Sequence, residues 1–202
     1  MKAVLPASER IFRLYHSHNV SPTLDTLFNL LNAIHSLNDK LDKAKLGGFF
    51  DIQEFIALKS LRNLFHHQDE LINELRILPV QDMPLIITDL LYLCLVPSKL
   101  VEEAISNIPN KYREEEQSVI KSVFGWYGEV VNINPCIFNF MVKAFEFFES
   151  KGIELSGSEY LDFADSYKFE TENGHSHFVT GTIGCSAGNV EEVLKKAFAP
   201  VT

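Results

Sequence analysis

The chain has 202 residues, 46% of them apolar, 11% aromatic and 22% charged, with 27 acidic against 18 basic side chains and a formal net charge of −9. A chain of this length buries roughly 70% of its unfolded surface, so its core needs no metal or disulfide staple, and the apolar share is too high for disorder. The acidic balance excludes a protein held on nucleic acid or membrane by bulk positive field, but it leaves room for an enzyme that touches a phosphate with one or two residues.

The chain opens with one lysine and the apolar run Ala3-Val4-Leu5, stopped by Pro6 and the charged Glu9-Arg10, which is too short for a secretory signal. A short helix is expected around Ser8 to His16. Ser21 and Pro22 then supply an N-cap and a first helical position, and Leu24, Leu27, Phe28, Leu31, Ile34, Leu37 and Leu41 recur at three- and four-residue steps until Gly47-Gly48. A second long helix is expected to start at Asp51, with Glu54 completing an Asp-headed capping box. Its stripe runs through Phe55, Leu58, Leu61, Leu64 or Phe65, Leu71, Leu75 and Leu78, and Pro79 stops it. Joined by a short loop, these two helices read as an antiparallel pair.

From Pro84 to Val96 the chain is at its most apolar, and the segment reads as a buried helix. With Thr88 and Asp89 inside it and Pro97 at its end, it falls short of the roughly 20 residues that span a bilayer. Further helices are expected from Ser98 to Ile108, from Tyr112 to Val123 after the Pro109-Asn110 break, and from Cys136 to Ser150 after Asn134-Pro135. The last of these carries Phe138, Phe140, Phe145, Phe147 and Phe148 and ends at Gly152.

Beyond Ser156 the pattern changes. Tyr167–Glu172 and His175–Thr180 flank Asn173-Gly174, the strongest short hairpin signal. A two-residue loop there pairs Glu172 with His175, Glu170 with His177 and Phe169 with Phe178, so one face carries both histidines and both glutamates. A final helix, Val190 to Phe198, is capped by Asn189. The expected fold is mainly α: a helical bundle with antiparallel long helices over residues 1–155, with a small C-terminal β-hairpin and terminal helix over 156–202 packed on the same domain. Cys94, Cys136 and Cys185 are odd in number and widely spaced, which argues against a disulfide framework and for a reducing, cytoplasmic setting.

The chemistry-bearing string is Arg62-Asn63-Leu64-Phe65-His66-His67. On a helix Asn63 and His67 lie about 40° apart, as do Arg62 and His66, whereas Arg62 and His67 are about 140° apart. Arg62 and His67 can therefore line two sides of a groove, or meet substrate where a second copy of the helix approaches. Arginine forks onto phosphate oxygens, and histidine is the side chain best placed to exchange a proton near neutral pH. Together they suit phosphodiester cleavage without a metal.

This Arg-Asn-x-x-x-His spacing resembles the signature of the HEPN superfamily (higher eukaryotes and prokaryotes nucleotide-binding). The resemblance implies a compact helical bundle acting as a metal-independent endoribonuclease, in a toxin–antitoxin or phage-defence setting, with the site formed where two copies of the motif face each other in a homodimer. Arg62 would stabilise the scissile phosphate, His67 would be the general acid or base, and Asn63 would orient His67 or contact the phosphate. The RNA 2′-hydroxyl would attack and leave a cyclic phosphate. The implied partners are RNA, a second copy and a protein antitoxin, with no DNA, no membrane, no cofactor and no metal. The alternative is a non-catalytic helical protein-interaction module of the same fold. Asp69, Glu70 and Glu74 follow the motif and oppose a polyanion, Lys59 precedes it, and Lys40, Lys43 and Lys45 are further cations on the preceding helix end.

Two other groups could carry chemistry. His175, His177, Glu170 and Glu172 offer a zinc set if the hairpin forms, or a solvent face with cross-strand His–Glu pairs. Gly181 to Gly188 leads to a helix start where a phosphate could sit, but it lacks the Lys-Ser/Thr of a phosphate loop, and Glu191-Glu192 stand at the positive end. Part of the aromatic helix, or the groove beside His67, is the expected homodimer surface.

Overall fold

Helices α1 (Val4–Val20) and α2 (Leu24–Lys43) pack along each other, and α3 (Gln53–His67) lies against α2. The computed structural model describes residues 2–67 and 73–201, with His67 given by its backbone alone. The first helix is longer than the Ser8–His16 expected, because Val4, Ala7, Ile11 and Phe12 continue one buried stripe. The cap of α2 falls two residues later than Ser21. The Thr23 hydroxyl accepts the Thr26 N–H at 3.1 Å, and the Thr26 hydroxyl accepts the Thr23 N–H at 2.8 Å, a reciprocal capping box. At the other end, Lys45 adopts φ +58°, and the Asn38 side-chain oxygen accepts the Phe49 N–H at 2.7 Å, which folds the 44–52 loop inward. Gly48 is required there, because a Cβ would collide with Asn38 Oδ1 and Asp42 Oδ1.

The second long helix is shorter than expected. Described helix ends at His67, Leu71 lies outside the described residues, and Leu75 sits in strand β1 (Glu74–Ile77). The Glu54 carboxylate does not serve a capping box with Asp51. It is buried and held by Lys143 Nζ at 2.7 and 2.9 Å, tying α3 to α6 (Asn134–Ser150).

The apolar segment from Pro84 to Val96 is not a helix. It holds the short strand β2 (Ile86–Ile87) and then strand β3 (Tyr92–Pro97), which pairs antiparallel with β1 and with β5 (Val130–Asn132). With β4 (Gly125–Tyr127) outside β5, the sheet order is β1-β3-β5-β4. Strand β3 is buried on both faces. Cys94 and Val96 enter the main core, while Leu93 and Leu95 join a second cluster with Leu78, Val130, Ala197 and Phe198. A strand covered on both sides reads as a continuous apolar run and is indistinguishable by periodicity from a buried helix.

Helices α4 (Ser98–Ser106), α5 (Asn110–Val123) and α6 follow as expected, and Gly152 turns left-handed at φ +61° just past α6. The core is heavily aromatic. Phe49, Phe55, Phe140 and Phe148 are fully buried, and the Phe49 ring meets Phe140 and Phe147 edge-on at centroid distances of 5.3 Å each.

The expected hairpin over Tyr167–Thr180 does not form, since its first arm is helical to Asn173 and His175–Thr180 is irregular. Helix α7 spans Ser158–Asn173, and its Tyr160, Phe163 and Tyr167 pack against Phe12 and Phe145. Asn173-Gly174 ends it rather than turning a hairpin. Gly174 has φ +68°, its N–H bonds the Thr171 carbonyl, and the His175 N–H bonds the Glu170 carbonyl at 2.9 Å, the Schellman arrangement. The C-terminal strand pair lies elsewhere, with β6 (Gly184–Cys185) antiparallel to β2, and α8 (Val190–Ala197) ends the fold. The protein is thus mainly α, with eight helices among the described residues, a small antiparallel sheet, a C-terminal strand pair and a terminal helix. None of the described helices is long and apolar enough to cross a membrane.

Candidate functional site

Helix α3 presents Arg62 and Asn63 toward two different neighbours. Arg62 faces α2, where its Nε donates to Asn32 Oδ1 at 3.2 Å, while its Nη1 donates to Asn63 Oδ1 at 3.3 Å. Two neutral amides thus fix the guanidinium without neutralising it, which suits a group meant to meet an incoming anion. Asn63 is exposed and lines a groove between α3 and α5. The two adjacent residues part in this way because each helical step turns by about 100°. His67 is the last residue of α3, one turn beyond Asn63 along the backbone, and its side chain lies outside the described residues.

Residues that the motif did not include complete the Arg62 side. Asn32, His35 and Asp39 follow one another at three- and four-residue steps on α2, so they share a face. His35 Nδ1 is 3.7 Å from Asp39 Oδ2, and the ring packs against Phe55 at 6.4 Å. Burial lowers the His35 pKa below its ordinary value, and Arg62, Lys59 and His66 push the same way, while Asp39 opposes them. At neutral pH His35 is therefore an uncharged imidazole beside a fixed cation, able to accept a proton or a hydrogen bond. Phe28 and Phe65 meet edge-on at 6.3 Å one turn away, with Phe28 partly exposed. The spacing of Asn32, His35 and Asp39 was available in the sequence, but the apolar stripe between them concealed it.

Lys59, which precedes the motif, is not an open cation. Its Nζ bonds Glu116 on α5 at 2.8 Å, and both side chains are largely covered. Of the acidic residues that follow the motif, Asp69 and Glu70 lie outside the described residues. Glu74 is held by both arms of Arg76, each at 2.7 Å. Lys40 is tied back to Ser36 on its own helix.

The other two groups lose their chemistry in the fold. His177 Nδ1 lies 2.8 Å from Glu170 Oε2, so the pair expected from the hairpin register does form, but across a helix and the segment that returns along it. Its ring stacks on Tyr167 at 3.6 Å, whereas His175 sits against Phe169. Among the described residues no group of three or more His, Cys, Asp or Glu side chains is arranged to hold a metal ion, so the zinc set does not assemble. The glycine-rich segment is likewise not a cradle, since Gly184 is in β6 and Gly181 backs onto Pro135. Cys94 and Cys136 are buried, and burial drives both thiols away from the reactive thiolate, Cys94 to about 12. No protein-family model matches this chain, and no curated protein or solved structure matches it either.

Proposed function

We propose that this protein is a HEPN-like metal-independent endoribonuclease, of the kind that acts as a toxin or in phage defence, whose cleavage site is centred on Arg62, Asn63 and His67. The observation that carries the reading is the Arg62 guanidinium, bound by two neutral amides and set beside an uncharged His35 on the neighbouring helix. In this reading Arg62 stabilises the charge that develops on the scissile phosphate. His67 exchanges the proton as the 2′-hydroxyl attacks, and Asn63 orients the motif. A second copy of the chain brings a second α3 to the same phosphate.

Purified protein should cleave RNA in the presence of EDTA. Arg62→Ala and His67→Ala should each lower the rate by roughly 10²–10⁴-fold without lowering the melting temperature. Full activity in His67→Ala would remove the assignment.

A different observation favours the alternative, a non-catalytic interaction module. Leu85 and Ile87 are 88% and 79% exposed around β2, an apolar ridge with no covering element among the described residues. Growth arrest on expression of the chain alone, lost with Arg62→Ala but kept with Leu85→Ser, supports the nuclease. The reverse pattern supports the module.

A further inference from the structure

The groove on the Asn63 side of α3 has a volume of about 830 Å³, enough for one nucleoside. Its two walls are set by helical spacing. Lys59 and Asn63 stand one turn apart on α3, and Tyr112 and Glu116 stand one turn apart on α5, with Glu115 beside them. Lys59 joins the walls, bonding Glu116 at 2.8 Å while its Nζ lies 5.5 Å over the Phe50 ring. Two aromatic rings remain open to solvent at this groove, Phe50 at 51% and Tyr112 at 47% exposed.

The charge here is more balanced than on the Arg62 side, since Lys111 Nζ lies 4.9 Å over the Tyr112 ring and donates to its hydroxyl at 3.3 Å. Lys59 is neutralised by Glu116, and Glu115 is exposed. With Lys59 paired to Glu116 and Lys111 balanced by Glu115, a phosphate finds no net positive charge at this wall. A flat heterocycle with N–H donors on one edge would be stacked by Tyr112 or Phe50 and bound at that edge by Glu115. Guanine alone among the common bases presents two adjacent donors, N1–H and N2–H, which match the two oxygens of one carboxylate.

We propose that the groove between α3 and α5 binds a guanine base, stacked on Tyr112 and recognised at its N1–H and N2–H edge by Glu115, next to the phosphate held at Arg62. The proposal deepens the ribonuclease reading and rests on it for its biological sense, since Asn63 is the wall shared by the two sites. It gives the proposed nuclease a preference for cleavage beside guanosine. It also explains how an acidic chain can hold RNA, through a base in a carboxylate-lined groove and one phosphate outside it.

Guanosine, adenosine, cytidine and uridine, all without phosphate, should be titrated into the full chain and followed by calorimetry or saturation-transfer NMR. Guanosine is expected to bind with Kd below about 1 mM and roughly tenfold or more tighter than adenosine. Tyr112→Ala and Glu115→Gln should each weaken it by roughly tenfold, whereas Tyr112→Phe should retain it. Equal binding of all four nucleosides, no binding at millimolar concentration, or unchanged binding in both Tyr112→Ala and Glu115→Gln would overturn the proposal. Guanosine has no bond to cleave, so its binding is independent of turnover. Protein that binds it but leaves RNA intact keeps the groove and removes the nuclease, and protein that cleaves RNA but ignores guanosine removes the groove alone.

Discussion

His18 lies in the last turn of α1 with its ring fully buried. Nδ1 meets the Thr26 hydroxyl at 3.0 Å, and Nε2 has no hydrogen-bond partner among the described residues. Desolvation lowers its pKa from 6.5 to about 4, so the native protein holds it neutral. Above pH 6.5 neither the folded nor the unfolded chain is protonated there, and the residue makes no pH-dependent contribution. Between pH 6.5 and 4 the unfolded chain takes up the proton and the folded chain does not, so stability falls with pH and levels off once the folded form also protonates. A pKa lowered from 6.5 to about 4 corresponds to a loss of about 3 kcal/mol by pH 4. Urea unfolding at pH 7 and pH 4.5 should therefore show a larger acid loss in the native chain than in His18→Gln, which cannot titrate. Equal losses in the two proteins would show that His18 is not the buried neutral group described. The same residue disposes of a second Arg-to-His spacing in the sequence, Arg13 with His18, since a histidine with no exposed surface cannot meet substrate.

The loop between α2 and α3 fixes the relative placement of the two helices that carry Asn32, His35 and Arg62. Its pivot is the buried bond from the Phe49 N–H to Asn38 Oδ1. In Asn38→Ala that N–H is left buried without its acceptor, a loss of about 1–3 kcal/mol. For a chain of this size each kcal/mol lowers Tm by roughly 2–4 °C, which a thermal melt resolves. An unchanged Tm would mean that the loop finds another acceptor. At this scale α2, α4 and α5 were legible in the sequence because each buries one face and shows its period, and α6, covered nearly all round, was legible from its Asn134-Pro135 start and Gly152 stop. Strand β3 was not, because Leu93 and Leu95 are covered from one side and Cys94 and Val96 from the other. Helix α7 is hidden in the sequence for a different reason. A tight hairpin and a Schellman helix end both require a left-handed glycine, so Asn173-Gly174 fits either. The decision comes from Tyr160, Phe163 and Tyr167, whose seven-residue spacing buries aromatic rings on α1 and α6. The site was legible only where it is local. Arg62-Asn63 is a contiguous string, but Lys59 finds Glu116 57 positions away, with nothing nearby in sequence to announce it.

Across the whole molecule, three of the six half-buried cations among the described residues already have carboxylates. Lys143 is paired with Glu54, Lys59 with Glu116 and Arg76 with Glu74. With a net charge of −9, the chain as a whole is acidic. Single-stranded nucleic acid releases counterions in proportion to the phosphates a protein neutralises, with a slope of roughly −0.7 in log–log terms per phosphate. A site resting on Arg62, with one copy or two, neutralises one or two phosphates, for a slope of about −0.7 to −1.4. The acidic exterior acts in the opposite sense, repelling RNA most strongly at low salt, where the Debye length is long. The two terms partly cancel, so kcat/KM for RNA should change by less than about tenfold between 50 and 200 mM salt. A nuclease with six to ten phosphate contacts would lose roughly 10²–10⁴-fold over the same range at the single-strand slope. Measuring kcat/KM on one oligonucleotide across that range distinguishes them. A slope steeper than about −3 would place an extended basic track on this protein and overturn the proposal that it holds RNA by one phosphate per copy at Arg62 and a base in the groove between α3 and α5.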